Sequence, residues 1–354
     1  MTNSPEQPGQ PATTGERPAP LVRRAYDRGI ATLTLDSPHN RNALSSRLVT
    51  ELLAGLEAAA ADPATRAVLL DHTGTTFCAG ADLSEAVSGG AADGGAPVAG
   101  PLGLARLMRT VVELPVPVVA RVTGHVRAGG LGLLGACDIS AAGPAASFAF
   151  TEARLGLAPA VISMPLLPRL DPRAAGRYYL TGERFDAAEA ARIGLITLAG
   201  DPDEVLAPVL DGLRRGSPQG LAESKRLVTA EVLRAFDRDT AALAELSARL
   251  FGSVEAREGM TAFLERRDPA WAPTTPESAS ADSASAEAAP AGPAPTTPAT
   301  TASTANPATP ATANPATPAT GNPATPANPA KVAPSDGGPH AARPAEPSTV
   351  EEPR

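Results

Sequence analysis

Three stretches of this sequence carry residue types that can do chemistry. The first is Gly124 to Asp138, GHVRAGGLGLLGACD. Glycine removes Cβ where backbone must approach something closely. A turn whose N–H groups open a helix is a natural cradle for negative charge. The second is Phe77-Cys-Ala-Gly-Ala-Asp82, again small residues leading from a short apolar run into a helix. The third is Phe148-Ala-Phe-Thr-Glu152, which sets a carboxyl at the end of an apolar stretch. Two turns of this design can aim two backbone N–H groups at one point, which stabilises a developing enolate far better than a neutral carbonyl. Spacing along the chain leaves a second reading open, two ordinary tight packing contacts.

The glycine stretch also holds a literal GxGxxG, Gly130-Leu-Gly132-Leu-Leu-Gly135. A dinucleotide fingerprint needs a strand before it, a long helix after it and an acid about 20 residues on. The strand is present as Val116 to Val122, and Glu152 stands in the right range. The helix is not, because a new apolar run begins at Asp138, too soon for a crossover helix between parallel strands. An NAD-dependent enzyme is therefore the weaker reading.

The elements that must position these stretches follow from periodicity and punctuation. Gly29 to Leu35 alternates apolar and polar residues as a strand does, and Ala67 to Leu70 is a short buried strand. Ser45 caps a helix with Leu48, Leu52 and Leu56 at four-residue spacing, ending near Asp62-Pro63. Leu102 to Val112 reads as a helix closed by Pro115 and Pro117, and Phe148 to Glu152 as a strand. Ser88 to Gly100, rich in Gly and Ala, reads as a surface segment over a pocket. Asp171-Pro172 and the capping box Asp186-Ala-Ala-Glu189 open further helices. Helices continue to about Arg267, so residues from about 200 to 271 are mostly helical.

Both ends differ from the middle. Residues 1–20 are polar and proline-rich, and residues 272–354 are built from Ala, Pro, Thr and Ser. The stretch Asn306-Pro-Ala-Thr-Pro-Ala-Thr312 recurs from Asn314 and Asn322 at a period of eight, with nothing to bury. Both ends are expected to be disordered, which leaves residues 21–271 as one folded domain. A net charge of -8 argues against nucleic acid as a partner. Two cysteines, Cys78 and Cys137, fit small core residues in a reducing cytoplasm. No run is long enough to span a membrane, and the four histidines lack metal-ligand spacing. His125, beside the glycine stretch, reads as a hydrogen-bonded structural histidine, with a place facing the pocket as the alternative.

Six motifs in order resemble the enoyl-CoA hydratase/isomerase (crotonase) superfamily over residues 21–271. They are Asp36-Ser-Pro with Arg41-Asn-Ala-Leu44, Phe77 to Leu83, Gly124 with Gly129-Gly130 and Cys137-Asp138, Phe150 to Gly156, Thr181 to Ala187, and Glu255 to Phe263. The resemblance implies an α/β fold, a spiral of repeated ββα units with a C-terminal helical region that forms trimers or hexamers. It implies an acyl-CoA substrate and no separate cofactor or metal. It assigns the two oxyanion donors to the backbone N–H groups of Ala81 and Gly129, and the CoA and pantetheine site to Ala79, Asp82 and Leu83. Arg41 falls where some members place a basic residue near the CoA phosphates; read alone it is a solvated loop arginine.

Hydratases of this family place two glutamates over the substrate double bond. The second falls on Glu152 and the first on Gly132, so one is missing. A single buried carboxylate suffices to move a proton between two carbons, which is isomerase chemistry. Hydration also needs water to be activated. The stretch Leu155 to Ser163 is similar to bacterial members that hydrate branched enoyl-CoAs such as 3-methylglutaconyl-CoA, several of which also lack the first glutamate. The reading is thus an enoyl-CoA hydratase, with an enoyl-CoA isomerase or a catalytically silent acyl-CoA-binding subunit as alternatives. In the bland alternative, Glu152 is a structural residue paired with Arg154.

Overall fold

The computed structural model describes residues 19–87 and 100–273. Residues 1–18 and 274–354 of the two tails and most of the Ser88 to Gly100 segment lie outside these residues.

After an opening hairpin and helix, the chain winds as a repeated unit that gives one strand to each of two sheets and then a helix. Val22–Asp27 (β1) and Ile30–Leu35 (β2) form an antiparallel pair. Ser46–Ala61 (α1) follows, its start fixed by Ser45 Oγ accepting from Leu48 N at 3.3 Å. The next units are Ala67–His72 (β3) with Thr76–Cys78 (β4), then Leu83–Val87 (α2) and Pro101–Glu113 (α3). Val118–Val122 (β5) and His125–Arg127 (β6) lead to Gly129–Ala136 (α4), and Ile139–Ala142 (β7) is followed by Ser147–Ala149 (β8). After these come Ser163–Leu166 (α5), Pro172–Thr181 (α6), Phe185–Asp186 (β9), Ala187–Arg192 (α7) and Leu198–Ala199 (β10). Pro202–Arg215 (α8), Pro218–Val228 (α9), Ala230–Phe251 (α10) and Val254–Glu265 (α11) complete the helical region.

The large sheet has the order β1-β2-β3-β5-β7-β10 and the small one β4-β6-β8-β9. From β2 onward the large-sheet strands are parallel neighbours in chain order, as are β4, β6 and β8 in the small sheet. Each turn of the spiral is therefore stacked one strand further along both sheets. The helix α4 joins β6 of the small sheet to β7 of the large one, so it is not a crossover between parallel neighbours of one sheet. The Gly130-Leu-Gly132-Leu-Leu-Gly135 stretch thus lacks the context that a dinucleotide fold requires.

Two expectations are corrected. Phe148 to Glu152 is not one strand: β8 ends at Ala149, and Glu152–Leu155 is a 3-10 turn. Gly156 closes that turn at φ 70°, a conformation that favours glycine. Second, β1 was not anticipated. Only Val22 of its residues is buried, so it shows no alternation to read.

One buried ion pair ties the helical region to the spiral. Lys225 on α9 is 5% exposed and spends its three protons on Val111 O at 2.7 Å, Val116 O at 3.1 Å and Asp138 Oδ2 at 2.8 Å. Asp138 Oδ2 also accepts from Val118 N at 2.7 Å. The pair thereby joins the end of α3, the entry to β5 and the entry to β7. Removing one member of such a pair leaves the other charged, buried and unpaired. Lys225→Met is expected to cost about 3–5 kcal/mol, and Lys225→Met with Asp138→Asn clearly less. Thermal unfolding of the two variants beside the wild type checks this.

Candidate functional site

The two glycine-bearing turns meet. Gly80 has φ +92°, and a Cβ built on it would fall 3.0 Å from the Gly129 nitrogen and 3.0 Å from the Ala128 Cβ. A Cβ on Gly129 would fall 3.5 Å from the Ala81 nitrogen. A Cβ on Gly130 would collide with the Cys78 carbonyl oxygen at 2.7 Å. The close approach of the turns thus rests on glycine at 80 and at 130, while a Cβ on Gly129 would make ordinary contact. Among the described residues, the N–H groups of Ala81 and Gly129 have no hydrogen-bond acceptor.

Each turn is held from behind. The Leu44 N–H donates to Gly80 O at 2.8 Å, and the Ala79 N–H donates to Arg41 O at 3.1 Å. Arg41 itself is exposed, with backbone in the left-handed region at φ 58°. Its side chain forms no ion pair among the described residues, while its carbonyl braces the first turn. Ala79, Asp82 and Leu83 are half-buried beside that turn. Burial opposes ionisation of Asp82, but hydrogen bonds from Ser84 and Asn40 outweigh it and hold the carboxyl below its ordinary pKa. On the second turn, Ala128 precedes Gly129 at φ 45° and ψ -123°, a strained conformation for a residue with a Cβ. The far end of α4 is capped by Arg169, which donates to Gly135 O and, at 3.0 Å, to Cys137 O.

Glu152 is 7% exposed, and its Oε2 has no hydrogen-bond partner. Arg154 does not pair with it; that guanidinium donates to Thr181 O at 2.9 Å. Burial pushes the Glu152 carboxyl up to about 7. The position of the missing glutamate is closed. A Cβ on Gly132 would lie 2.5 Å from Ile162 Cγ2 and 2.6 Å from Met108 Sδ. Leu104 Cδ2 lies 3.4 Å from the corresponding point on Gly129. The side chains packed against Gly129 and Gly132 are therefore apolar. Ile162, Met108 and Leu104 were not singled out from the sequence, because their contacts with α4 come from elements far apart in the chain.

His125 is exposed on the small sheet, with Nδ1 2.9 Å from Ser147 Oγ, so it is hydrogen-bonded. Cys78 and Cys137 are buried, and burial pushes both thiols up to about 12. Neither supplies a thiolate near neutral pH. Among the described residues no group of three His, Cys, Asp or Glu is placed to hold a metal ion. Nor is any helix among them long and apolar enough to cross a membrane.

The profile of the enoyl-CoA hydratase/isomerase family matches residues 25–274. The chain belongs to that family. A Thermus thermophilus protein named for enoyl-CoA hydratase activity is 34% identical over 247 residues, 68% of this chain and 96% of its own. The mevalonyl-coenzyme A hydratase of Aspergillus fumigatus is 30% identical and covers 69% of this chain and 92% of its own. The crystal structure of an enoyl-CoA hydratase from Mycobacterium avium is 56% identical, with a TM-score of 0.65, and covers 71% of this chain and 99% of its own.

Two predictions follow from the geometry. Gly129 has no positive φ, so alanine is tolerated by the backbone, but its methyl would stand 3.5 Å from the Ala81 nitrogen, between the two free donors. Gly129→Ala is expected to keep its Tm within a few degrees and lose at least about 100-fold in kcat, as for removal of an oxyanion donor. The second concerns Glu152. Its folded pKa of about 7 exceeds the ordinary 4.5, so the ionised form is penalised in the fold. Stability is full below about pH 4.5 and is lost as pH rises through about 7, by up to about 3 kcal/mol. Glu152→Gln removes this loss. Its Tm should match the wild type at pH 4.5 and exceed it at pH 8.

Proposed function

We propose that this chain is an enoyl-CoA hydratase that works with a single glutamate. The observation that carries the reading is Glu152, a buried carboxyl whose Oε2 has no partner, in a fold where two turns with free N–H groups meet. The amides of Ala81 and Gly129 would hold the thioester oxygen as it gains enolate charge. Ala79, Asp82 and Leu83 would line the CoA arm, with Arg41 near its phosphates. No cofactor or metal takes part, and CoA arrives with the substrate. The assembly expected is a homotrimer or hexamer built through the helical region, in the cytoplasm.

With one carboxyl the proton must travel in a closed loop. Glu152 starts ionised and takes a proton from water as the water oxygen bonds to C3 of the enoyl group. The C2–C3 π electrons move onto the thioester, forming the enolate. Glu152 then returns the proton to C2, and the enolate collapses to the 3-hydroxyacyl thioester. The apolar wall of Ile162 and Met108 accounts for the absence of a second carboxyl and keeps the acyl end dry. A branched acyl group such as 3-methylglutaconyl is supported by the likeness of Leu155 to Ser163 to hydratases of such substrates and by the A. fumigatus relative, named for a branched acyl-CoA.

The test is loss of the conjugated thioester absorbance with crotonyl-CoA and 3-methylglutaconyl-CoA. Decay is expected for the wild type, with Glu152→Gln slower by at least about 1,000-fold. Because the carboxylate must be ionised at the start, kcat/KM should rise with pH through about 7. A profile that falls through 7 would mean that Glu152 enters as an acid and that another group activates water. No decay, together with conversion of a 3-enoyl-CoA to the conjugated isomer, would establish the isomerase instead.

A further inference from the structure

Hydration needs a water held at the correct face of the double bond, and one carboxylate fixes only one of its protons. In family members that carry the first glutamate it supplies the second contact; here Ile162 and Met108 occupy its place. The residue after Ile162 is Ser163, and its hydroxyl faces a second hydroxyl. Ser163 Oγ donates to Pro159 O at 2.6 Å and lies 3.4 Å from Tyr179 Oη. Ser163 Oγ directs its one proton chiefly to Pro159 O and only at the longer distance to the phenol oxygen. The Tyr179 oxygen thus keeps a lone pair for another donor.

Tyr179 is on α6, which packs on the 3-10 turn that carries Glu152. Its ring lies 4.6 Å from that of Phe150, two residues before Glu152. It is half-buried. Burial raises its pKa first, Ser163 lowers it, and the charge of Glu152 raises it further, so the two groups sense each other. They nevertheless share no direct hydrogen bond, and Glu152 Oε2 has no partner. A buried carboxyl oxygen and a phenol oxygen, each with capacity to accept, suit the two protons of one water.

From this arrangement we propose that Tyr179, held by Ser163, is the second water-binding group of the site and takes over the positioning part of the missing glutamate. The water donates one proton to Glu152 and the other to Tyr179 Oη, which leaves an oxygen lone pair for C3. Tyr179 neither gains nor loses a proton overall. The inference rests on the reading of Glu152 as the proton carrier.

The test separates water addition from proton transfer. Full-length wild type, Tyr179→Phe, Ser163→Ala and Glu152→Gln are compared in two assays. One is hydration of crotonyl-CoA and 3-methylglutaconyl-CoA. The other is exchange of the C2 protons of butyryl-CoA in D2O, which needs the enolate and Glu152 but no attacking water. Tyr179→Phe keeps the ring on Phe150. It is expected to lower hydration kcat at least tenfold with KM within twofold, and to leave exchange within twofold of wild type. Ser163→Ala is expected to show the same pattern more weakly. Hydration by Tyr179→Phe at the wild-type rate overturns the inference. So does parallel loss of hydration and exchange in a folded Tyr179→Phe protein, which would make Tyr179 a structural support for Glu152. Full activity of Glu152→Gln in both assays overturns the reading of Glu152 itself. A wild type that exchanges but hydrates neither substrate overturns the water-binding role while sparing Glu152.

Discussion

The site depends on a close approach of backbone to backbone. The turns at Gly80 and Gly129 touch where a side chain on Gly80 would separate them, since its Cβ would fall 3.0 Å from the Gly129 nitrogen. Such an approach is unfavourable unless the strands behind it are fixed. They are, because β4 and β6, which precede the two turns, are parallel neighbours in the small sheet. The same two strands belong to consecutive turns of the spiral, so one repeat of the architecture brings the donors together. Ala128 shows the tension in this contact. It stands at φ 45°, and its methyl group packs at Gly80, so strain is held directly beside the Gly129 donor.

Glu152 depends on a second close approach. The 3-10 turn that carries it packs against α11, and again glycine allows the contact. A Cβ on Gly156 would lie 2.7 Å from the Glu255 backbone, and one on Gly259 would lie 2.6 Å from Leu155. The C-terminal helix, distant in sequence from every candidate site residue, thus fixes the turn from outside. The result is a carboxyl shielded from solvent, with a pKa near neutrality. The desolvation that suits Glu152 to proton transfer is the same one that lowers stability once the group ionises.

Much of this was legible in the sequence because it rests on local signals. Ser45, Asp171 and Asp186 each cap the helix that their side chains announced. The glycine stretch and Phe77 to Asp82 both emerge as turns that open helices. What was not legible rests on contacts without local pattern. The strand β1 is an edge strand with one buried residue, so no alternation marks it. The apolar run Phe148 to Phe150 concealed that Glu152 starts a turn, because Gly156, which closes it, lies beyond the run. The partners of Gly132 come from α3 and from the loop before α5, and no spacing in the chain connects them.

That last contact changes what the missing glutamate means. An empty position could be refilled by one substitution, but this one is occupied. With Ile162 Cγ2 2.5 Å and Met108 Sδ 2.6 Å from the nearest atom a side chain would need, glutamate at 132 would displace two packed residues. It would also add a second carboxyl to an apolar wall, where desolvation opposes its ionisation as it does that of Glu152. Gly132, Ile162 and Met108 are therefore one unit, and the single carboxyl is a property of the packing around α4. Ser163 directly follows Ile162, so the hydroxyl pair it forms with Tyr179 is tied to the same packing.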